Sequence, residues 1–577
     1  MTSGLRKGLT SYGDPDFSLF LRKILIKSLG YSDQALDRPI VAVTNTASDF
    51  NPCHGNVPAL IDSVKRGVML AGALPMVFPT ISLGEPFCHP TAMFLRNLMA
   101  MDTEEMIRAQ PIDAVVLIGG CDKTLPAQVM AAASVNLPAI VLPTGPMVTG
   151  RHRGERVGAC TDCRRFWAQH RAGGIDAGEI DQLSERLAPS IGTCGVMGTA
   201  STMACLIEAL GLSLPFSATV PANLADRLRI AEATGTRAAA MAASGTPKPC
   251  DLMTPASINN AMTVLQAIGG STNGLIHLVA MAGRAGVPFD LKAFDDLGRR
   301  VPVLLNIKPS GAHYMEDFHY AGGMPALLRR LAPHLDTAVP VIGGGTLADV
   351  IAEAEEIPAR DVIRLLESPH SKEGAMAVLY GNLAPDSAVI KRSAASPHLL
   401  RHTGRAVVFD SVEDLTRRID DPSLDIRPDD ILVLRNAGPK GAPGMPEAGY
   451  LPIPAYLARQ GVRDMVRISD ARMSGTAFGT IVLHIAPEAA IGGPLAIVRD
   501  GDRISLDVEA RQLTLHVDAA EIESRLAASK AAPPHRERPL RGYAKLFEDS
   551  VLQADQGCDF DFLLGEGPSE KTARSKP

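Results

Sequence analysis

Short, fully apolar runs alternate with segments of helical period near the start of the chain. PIVAVT (39–44), PMVFPTIS (75–82), AVVLI (114–118) and PAIVLPTG (138–145) each read as a strand. Unbroken apolar character marks strands buried on both faces, as in a parallel sheet. Pro79 places the second run at a sheet edge or a strand end. Between the runs, residues 57–71, MFLRNLMAMD and LPAQVMAAASV carry apolar positions at helical spacing. This βαβ rhythm predicts a parallel sheet. Loops that follow strand ends then meet on one edge, where open α/β sheets bind ligands. Those loops hold Cys53, Glu85 and the consecutive Cys121, Asp122 and Lys123.

A polar, less regular segment, Arg151 to Glu185, follows. PSIGTCGVMGTASTMACLIEALG then opens Gly-rich and runs into an apolar helix from about Met197 to Leu210. Cys194 stands just before that helix, where free N–H groups and the helix dipole stabilise a thiolate. A long helical stretch from about Pro255 to Ala282 is interrupted by GGSTNG. Around Ser371 to Ser396 the character changes, which divides the chain into residues 1–375 and 376–577. Beyond it, AVVF, DILVLRN, MVRISD, TIVLHIA, LAIVRDGDRISLDV and RQLTLHV are short β-type runs separated by turns, the pattern of a barrel-like β domain. Two Gly-rich loops lie among them: PKGAPGMPEAG with Glu447, and SDARMSGTAFGT with Ser474. The tail after about Gly565 is polar and reads as disordered.

The 577 residues exceed what a single core accommodates, so two or three domains are expected. A net charge of -6 and 4% aromatic residues give no basis for nucleic-acid or anionic-membrane partners. The N-terminus lacks an apolar signal core, and nine scattered cysteines suit a reducing cytoplasm better than a disulfide scaffold. A thiolate favours iron, copper or zinc, whereas a carboxylate favours magnesium or manganese. Cys121 beside Asp122 therefore reads either as two inorganic centres meeting, or as a buried Cys in a tight turn with a solvated Asp–Lys pair.

NPCHGN, GGCDKT, IGTCGVMGTAST, GGSTN, PGMPE and SDARMSGTAFG, in that order within a resemblance spanning roughly Tyr12 to Leu564, resemble the dihydroxy-acid and sugar-acid dehydratase family, which includes 6-phosphogluconate dehydratase. SDARMSGTAFGT and SAASPHLL are most similar to its pentonate branch. The resemblance implies an α/β N-terminal domain that binds a two-iron, two-sulfur (2Fe-2S) cluster, joined to a C-terminal β-barrel-containing domain in a homodimer or homotetramer. It implies cluster ligands at Cys53, Cys121 and Cys194, and a divalent cation, Mg2+ or Mn2+, near Glu85, Asp122, Lys123 and Glu447, with Lys123 carbamylated. Ser474 matches the serine acting as catalytic base.

The implied reaction removes the C2 proton of a sugar acid and expels its C3 hydroxyl, giving a 2-keto-3-deoxy acid. Three cysteines leave one iron position open to a leaving hydroxyl, where four would close the cluster. A carbamate makes Lys123 an anionic oxygen ligand. Dihydroxy-acid dehydration in branched-chain amino-acid synthesis is the alternative activity, and a non-catalytic iron–sulfur protein the alternative of another class. The Cys160-Thr-Asp-Cys163 pair has no partner pair and is left outside the site; Cys88, Cys205, Cys250 and Cys558 read as packing or surface thiols. His54 and His89 either touch substrate or are structural, and Arg435 and Lys440 either bind a carboxylate or solvate a loop. GGSTNG is read as lining the pocket, with a helix bend as the alternative.

Overall fold

A computed structural model describes residues 3–9, 11–531 and 538–565. The expected tail after Gly565 lies outside the described residues. Four strands, β1 (Ile40–Asn45), β2 (Leu74–Pro79), β3 (Ala114–Gly119) and β4 (Ala139–Pro143), form a parallel sheet in the order β2-β1-β3-β4. β3 is buried along its whole length, which is why its sequence shows no alternation. Pro79 closes the edge strand β2, where its missing N–H costs no ladder bond.

The crossovers are α1 (Val57–Leu70), α2 (Ala92–Ala109) and α3 (Thr124–Val135). The polar segment after β4 contains a small hairpin, Gly150–His152 with Glu155–Val157, and then α4 (Thr161–Arg171). α5 (Thr199–Ala209) is buried along its entire length. Helix α6 (Ala225–Ser244) packs along α1. The interrupted stretch resolves into α7 (Pro255–Ala267) and α8 (Thr272–Ala285). Among the described residues no helix is long and apolar enough to cross a membrane.

The C-terminal part is a closed barrel of eight strands: β5 (Ala377–Gly381), β6 (Ala384–Ile390), β7 (Arg401–Phe409), β8 (Ile431–Leu434), β9 (Arg467–Ser469), β10 (Ile481–Ala486), β11 (Arg503–Asp507) and β12 (Gln512–Leu515). Around the wall the order is β8-β9-β10-β6-β5-β12-β11-β7. Closure leaves no unpaired edge. Ile431 and Val433 belong to one apolar cluster and Leu432 and Leu434 to another, the two-residue period of a wall with a core on each side.

Two readings change. The hairpin β5–β6 falls where the sequence suggested only a change of character. LAIVRDGDRISLDV is not one β run: Pro494–Ile497 is a 3-10 turn, Gly501 takes the left-handed conformation, and only Arg503–Asp507 joins the barrel.

Candidate active site

The loops beyond β1, β2 and β3 converge. After β1 the chain makes a 3-10 turn, Pro52–His54; after β2 another, Glu85–Phe87; after β3 it passes through Gly120, Cys121, Asp122 and Lys123 into α3. Gly120 is required by the close approach. A Cβ there would stand 1.7 Å from Thr144 Oγ1 and 3.1 Å from the Cys53 carbonyl oxygen, and Thr144 Oγ1 itself donates to that carbonyl at 2.8 Å.

His54 fastens this edge. Its Nε2 accepts the backbone N–H groups of Gly120 (2.9 Å) and Cys121 (3.1 Å), so Nδ1 carries the proton and donates it to the Thr46 carbonyl at 2.8 Å. Burial lowers its pKa to about 4, against the smaller opposing pull of the Thr46 carbonyl. A neutral ring with both nitrogens engaged is structural and does not touch substrate. His89 is exposed.

Three carboxylates meet beside it. Glu85, Asp122 and Glu447 each offer one oxygen, and these lie within 4.8 Å of one another. Glu447 arrives from the barrel, at the start of a 3-10 turn. Lys123 is completely buried and ion-pairs with Asp122 and, at 3.5 Å, with Glu85 Oε2. Arg472, also completely buried, donates from Nη1 to Glu447 Oε1 (2.6 Å) and from Nη2 to Glu85 Oε1 (2.7 Å) and Thr91 Oγ1 (2.6 Å). Burial works to raise the Glu85 pKa, but the charges of Arg472 and Lys123 prevail and hold it at about 2. Glu447 moves the other way: burial raises it, helped by Glu85 and opposed by Arg472.

The thiols stand on the other side of Asp122. Cys121 Sγ donates to Asp122 Oδ1 at 3.4 Å. Its pKa lies well above the usual thiol range, raised first by hydrogen bonding with Cys53 and then by burial. Cys194 lies near Cys53, and its Sγ is 3.3 Å from that of Cys160. In that pair the Cys194 thiol is raised, by its hydrogen bond with Cys160 and by burial. Cys160, the N-cap of α4, is lowered by hydrogen bonds from Cys163 and Cys194. Cys160 therefore reaches the cysteines from which the sequence reading had separated it.

Ser474 shares its loop with Arg472. Its Oγ is 2.9 Å from Thr476 Oγ1, to which Arg164 Nε donates at 3.4 Å. The loop lies against the N-termini of α5 and α8: a Cβ on Gly475 would fall 2.6 Å from Ser271 Cβ and 2.8 Å from Thr199 N. Ser271 caps α8, its Oγ is 2.8 Å from Thr199 Oγ1, and Asn273 Nδ2 donates to Thr199 Oγ1 (3.2 Å) and Glu447 Oε1 (3.3 Å). GGSTNG thus both divides the helix and lines the site. Arg435 is engaged elsewhere, with Asp410 and the carbonyls of Ala496 and Val498, and is structural. The backbone N–H of Lys440 donates to Glu488. Cys205 and Cys558 are buried packing thiols.

Arg472, Thr476 and Arg164 are the residues that sequence reasoning passed over; Asn273 enters it only as part of GGSTNG, and Cys160 only as a thiol outside the site. The first two lie within SDARMSGTAFGT; an arginine two places before Ser474 in a loop of small and apolar residues was the available signal.

Residues 38–350 match the dihydroxy-acid/6-phosphogluconate dehydratase N-terminal family, and residues 361–558 its C-terminal counterpart. The chain is 46% identical to the L-arabonate dehydratase of Azospirillum brasilense over 98% of both chains. It is 45% identical to the 6-deoxy-6-sulfo-D-gluconate dehydratase of Pseudomonas putida over 93% of both. With the dihydroxy-acid dehydratase of Moorella thermoacetica it shares 40% identity over 92% of this chain and 96% of that one. With both halves matched and relatives aligned nearly end to end, this chain belongs to the dihydroxy-acid/6-phosphogluconate dehydratase family of hydro-lyases.

Proposed function

We propose that the chain dehydrates a sugar acid, an aldonate and within that class a pentonate, to the 2-keto-3-deoxy acid. The observation that carries this reading is the meeting of a carboxylate set and a thiol set at one sheet edge, beneath a barrel loop that presents Ser474. The polar surroundings favour a sugar acid over a methylated dihydroxy acid. Thr199, Ser271, Asn273, Thr476 and Arg164 provide hydrogen-bonding groups that a methyl-bearing substrate would leave unpaired. Relatives named for arabonate and sulfogluconate point the same way.

The donors fit the groups that the family implies. Glu85, Asp122 and Glu447 are hard oxygen ligands at the mutual spacing of a single cation, and buried Glu85 Oε2 accepts no hydrogen bond among the described residues. As an ammonium, Lys123 competes with a cation for these carboxylates; as a carbamate it joins them as a ligand. Cys53, Cys121 and Cys194 would hold a 2Fe-2S cluster. When bound, Mg2+ or Mn2+ would supply a Lewis acid for the substrate's carboxylate and C2 oxygens, and the cluster one for the departing C3 hydroxyl.

The chain's own part is the proton at C2. Ser474 Oγ takes it as base, and a serine does so only if its alkoxide is stabilised. Thr476 provides such help. Its Oγ1 accepts from Arg164, which leaves its own proton free to point at Ser474 Oγ. Arg472 keeps Glu85 ionised and positions Glu447, so the carboxylates hold their shape before substrate enters. The N-termini of α5 and α8 add positive potential on the same side.

The test is a substrate panel with added Mg2+. A 2-oxo acid should accumulate from pentonates with higher kcat/KM than from hexonates, and more slowly from 2,3-dihydroxyisovalerate. Higher kcat/KM on dihydroxyisovalerate would overturn the sugar-acid reading in favour of branched-chain acid synthesis. No 2-oxo acid from any of them would leave a non-catalytic iron–sulfur protein.

A further inference from the structure

The thiols around the site fall into two pairs. Cys53 interacts with Cys121 from the loops after β1 and β3, while Cys160 and Cys194 stand 3.3 Å apart at the starts of α4 and just ahead of α5. Two thiolates that share one tetrahedral metal with bonds of about 2.3 Å lie about 3.8 Å apart, so a small side-chain rotation brings the second pair to that spacing. Cys160 is also held in place. It occupies the N-cap position of α4, and the next residue, Thr161, donates from Oγ1 to the Thr476 carbonyl at 3.0 Å, which ties the start of α4 to the Ser474 loop. Cys163, one helical turn further on, hydrogen-bonds with Cys160 and packs against the apolar cluster of Val157, Phe166, Leu183 and Leu187. The two members of the C-x-x-C stay in hydrogen-bond contact, yet Cys160 is the one that stands 3.3 Å from Cys194, while Cys163 borders the small core.

Resting on the cluster reading above, we propose that Cys160 is a fourth thiol of the cradle, an exchangeable ligand that pairs with Cys194 and occupies the remaining iron position until a sugar acid displaces it. No electrons change hands. Binding releases the Cys160 thiol proton to solvent, and displacement by a substrate hydroxyl restores it. The device reconciles two needs: four sulfurs shield the cluster at rest, and three leave the open position that dehydration requires.

Two measurements test this. In the first, wild type, Cys160→Ser and Cys163→Ser proteins are loaded anaerobically and their visible circular dichroism and Mössbauer spectra are recorded with and without a pentonate. Wild type without substrate should show both irons in all-thiolate surroundings, and Cys160→Ser should shift one of them. Addition of pentonate should move wild type toward the Cys160→Ser spectrum, and Cys163→Ser should follow wild type. Superimposable wild-type and Cys160→Ser spectra would overturn the proposal. In the second, cobalt(II) is added to cluster-free protein, and the thiolate-to-cobalt absorbance is read. Loss of one thiolate in four lowers it by about a quarter in Cys160→Ser; an unchanged band would overturn the proposal. If wild type assembled no cluster, the cofactor reading would fail by itself, and the cobalt measurement would still decide whether Cys160 belongs to the cradle.

Discussion

Two fully buried arginines, each set between carboxylates, make opposite uses of the same interaction. Arg284 forks onto Asp559, donates to Glu104 Oε2 at 3.3 Å and to Ser134 Oγ at 3.0 Å, and Arg108 adds a second positive charge on Glu104. With buried Arg96, whose charge also acts on Asp559, three cations face two carboxylates, and each nitrogen of the Arg284 head has an acceptor. Arg472 and Lys123 face three carboxylates, Glu85, Asp122 and Glu447, while Arg472 Nε and Glu85 Oε2 are without hydrogen-bond partners among the described residues. The first network has no deficit of positive charge, and serves the fold by holding the C-terminal segment to α8. The second is short of positive charge, which is the condition for taking up a cation. A buried ion pair does not by itself mark a site; surplus like charge and unused donors and acceptors do.

The largest expected contrast is in turnover. Ser474→Ala should lower kcat by roughly 10²–10⁴-fold, the range for removal of an acid–base group, while its unfolding midpoint stays at the wild-type value. Exchange of the substrate C2 proton with solvent deuterium should fall in parallel. A variant that turned over at the wild-type rate would remove Ser474 from the mechanism. Arg284→Met should do the reverse. Breaking a buried pair by removing one partner costs about 3–5 kcal/mol, so its denaturant midpoint should drop, yet kcat per folded molecule should hold. Arg284 lies twelve residues along α8 from Thr272, about 18 Å from the helix end that touches the site. A lowered kcat in the folded fraction would show that the two networks are coupled through α8.

Next in size is the response to a divalent cation. A ligand present at a hundred times its Kd stabilises the state that binds it by about 2.7 kcal/mol. Mg2+ or Mn2+ should raise the melting temperature of wild type and of Arg284→Met alike, and should fail to do so for Glu447→Gln. An equal rise in Glu447→Gln would place the cation elsewhere.

How far the contrast was legible in the sequence follows from where each residue lies. Cys53, Glu85 and Cys121–Lys123 follow strand ends, and a run of buried apolar residues places its own following loop on a known edge. Arg472, Asn273, Thr476 and Cys160 come from a barrel loop and from helix starts. Their approach depends on how the barrel docks on the sheet, which no local period encodes. The β5–β6 hairpin was missed although Gly381-Asn382 is a turn signal, because β6 opens with Ala384, Pro385 and Asp386, which mask its β character, and β5 is only five residues long. Ser474 and Glu447 were placed by family resemblance alone; the periodicity of the barrel strands indicates only that such loops exist.

The smallest expected effect separates the scaffold behind the site from the site itself. His54 is neutral in the fold, with a pKa lowered from 6.5 to about 4 by burial. Between those values the unfolded chain binds a proton that the folded chain does not, so the contribution of His54 to stability is complete above pH 6.5 and is lost as pH falls toward about 4. The slope is about 1.4 kcal/mol per pH unit for this one group. His54→Gln removes the titration, whatever the substitution costs at neutral pH. The comparison is therefore made on slopes: stability from urea unfolding, measured from pH 7 down to pH 5, should decline less steeply in the variant by that amount. Glu85 contributes little in this range, because its titration is centred at 4.5 when unfolded and at about 2 in the fold, and what it contributes is common to both proteins. If wild type and His54→Gln kept the same slope, the ring would be protonated in the fold, its Nε2 could not accept the Gly120 and Cys121 amides, and the anchoring of the Cys121 loop would have to come from Thr144 and the Cys53 carbonyl instead.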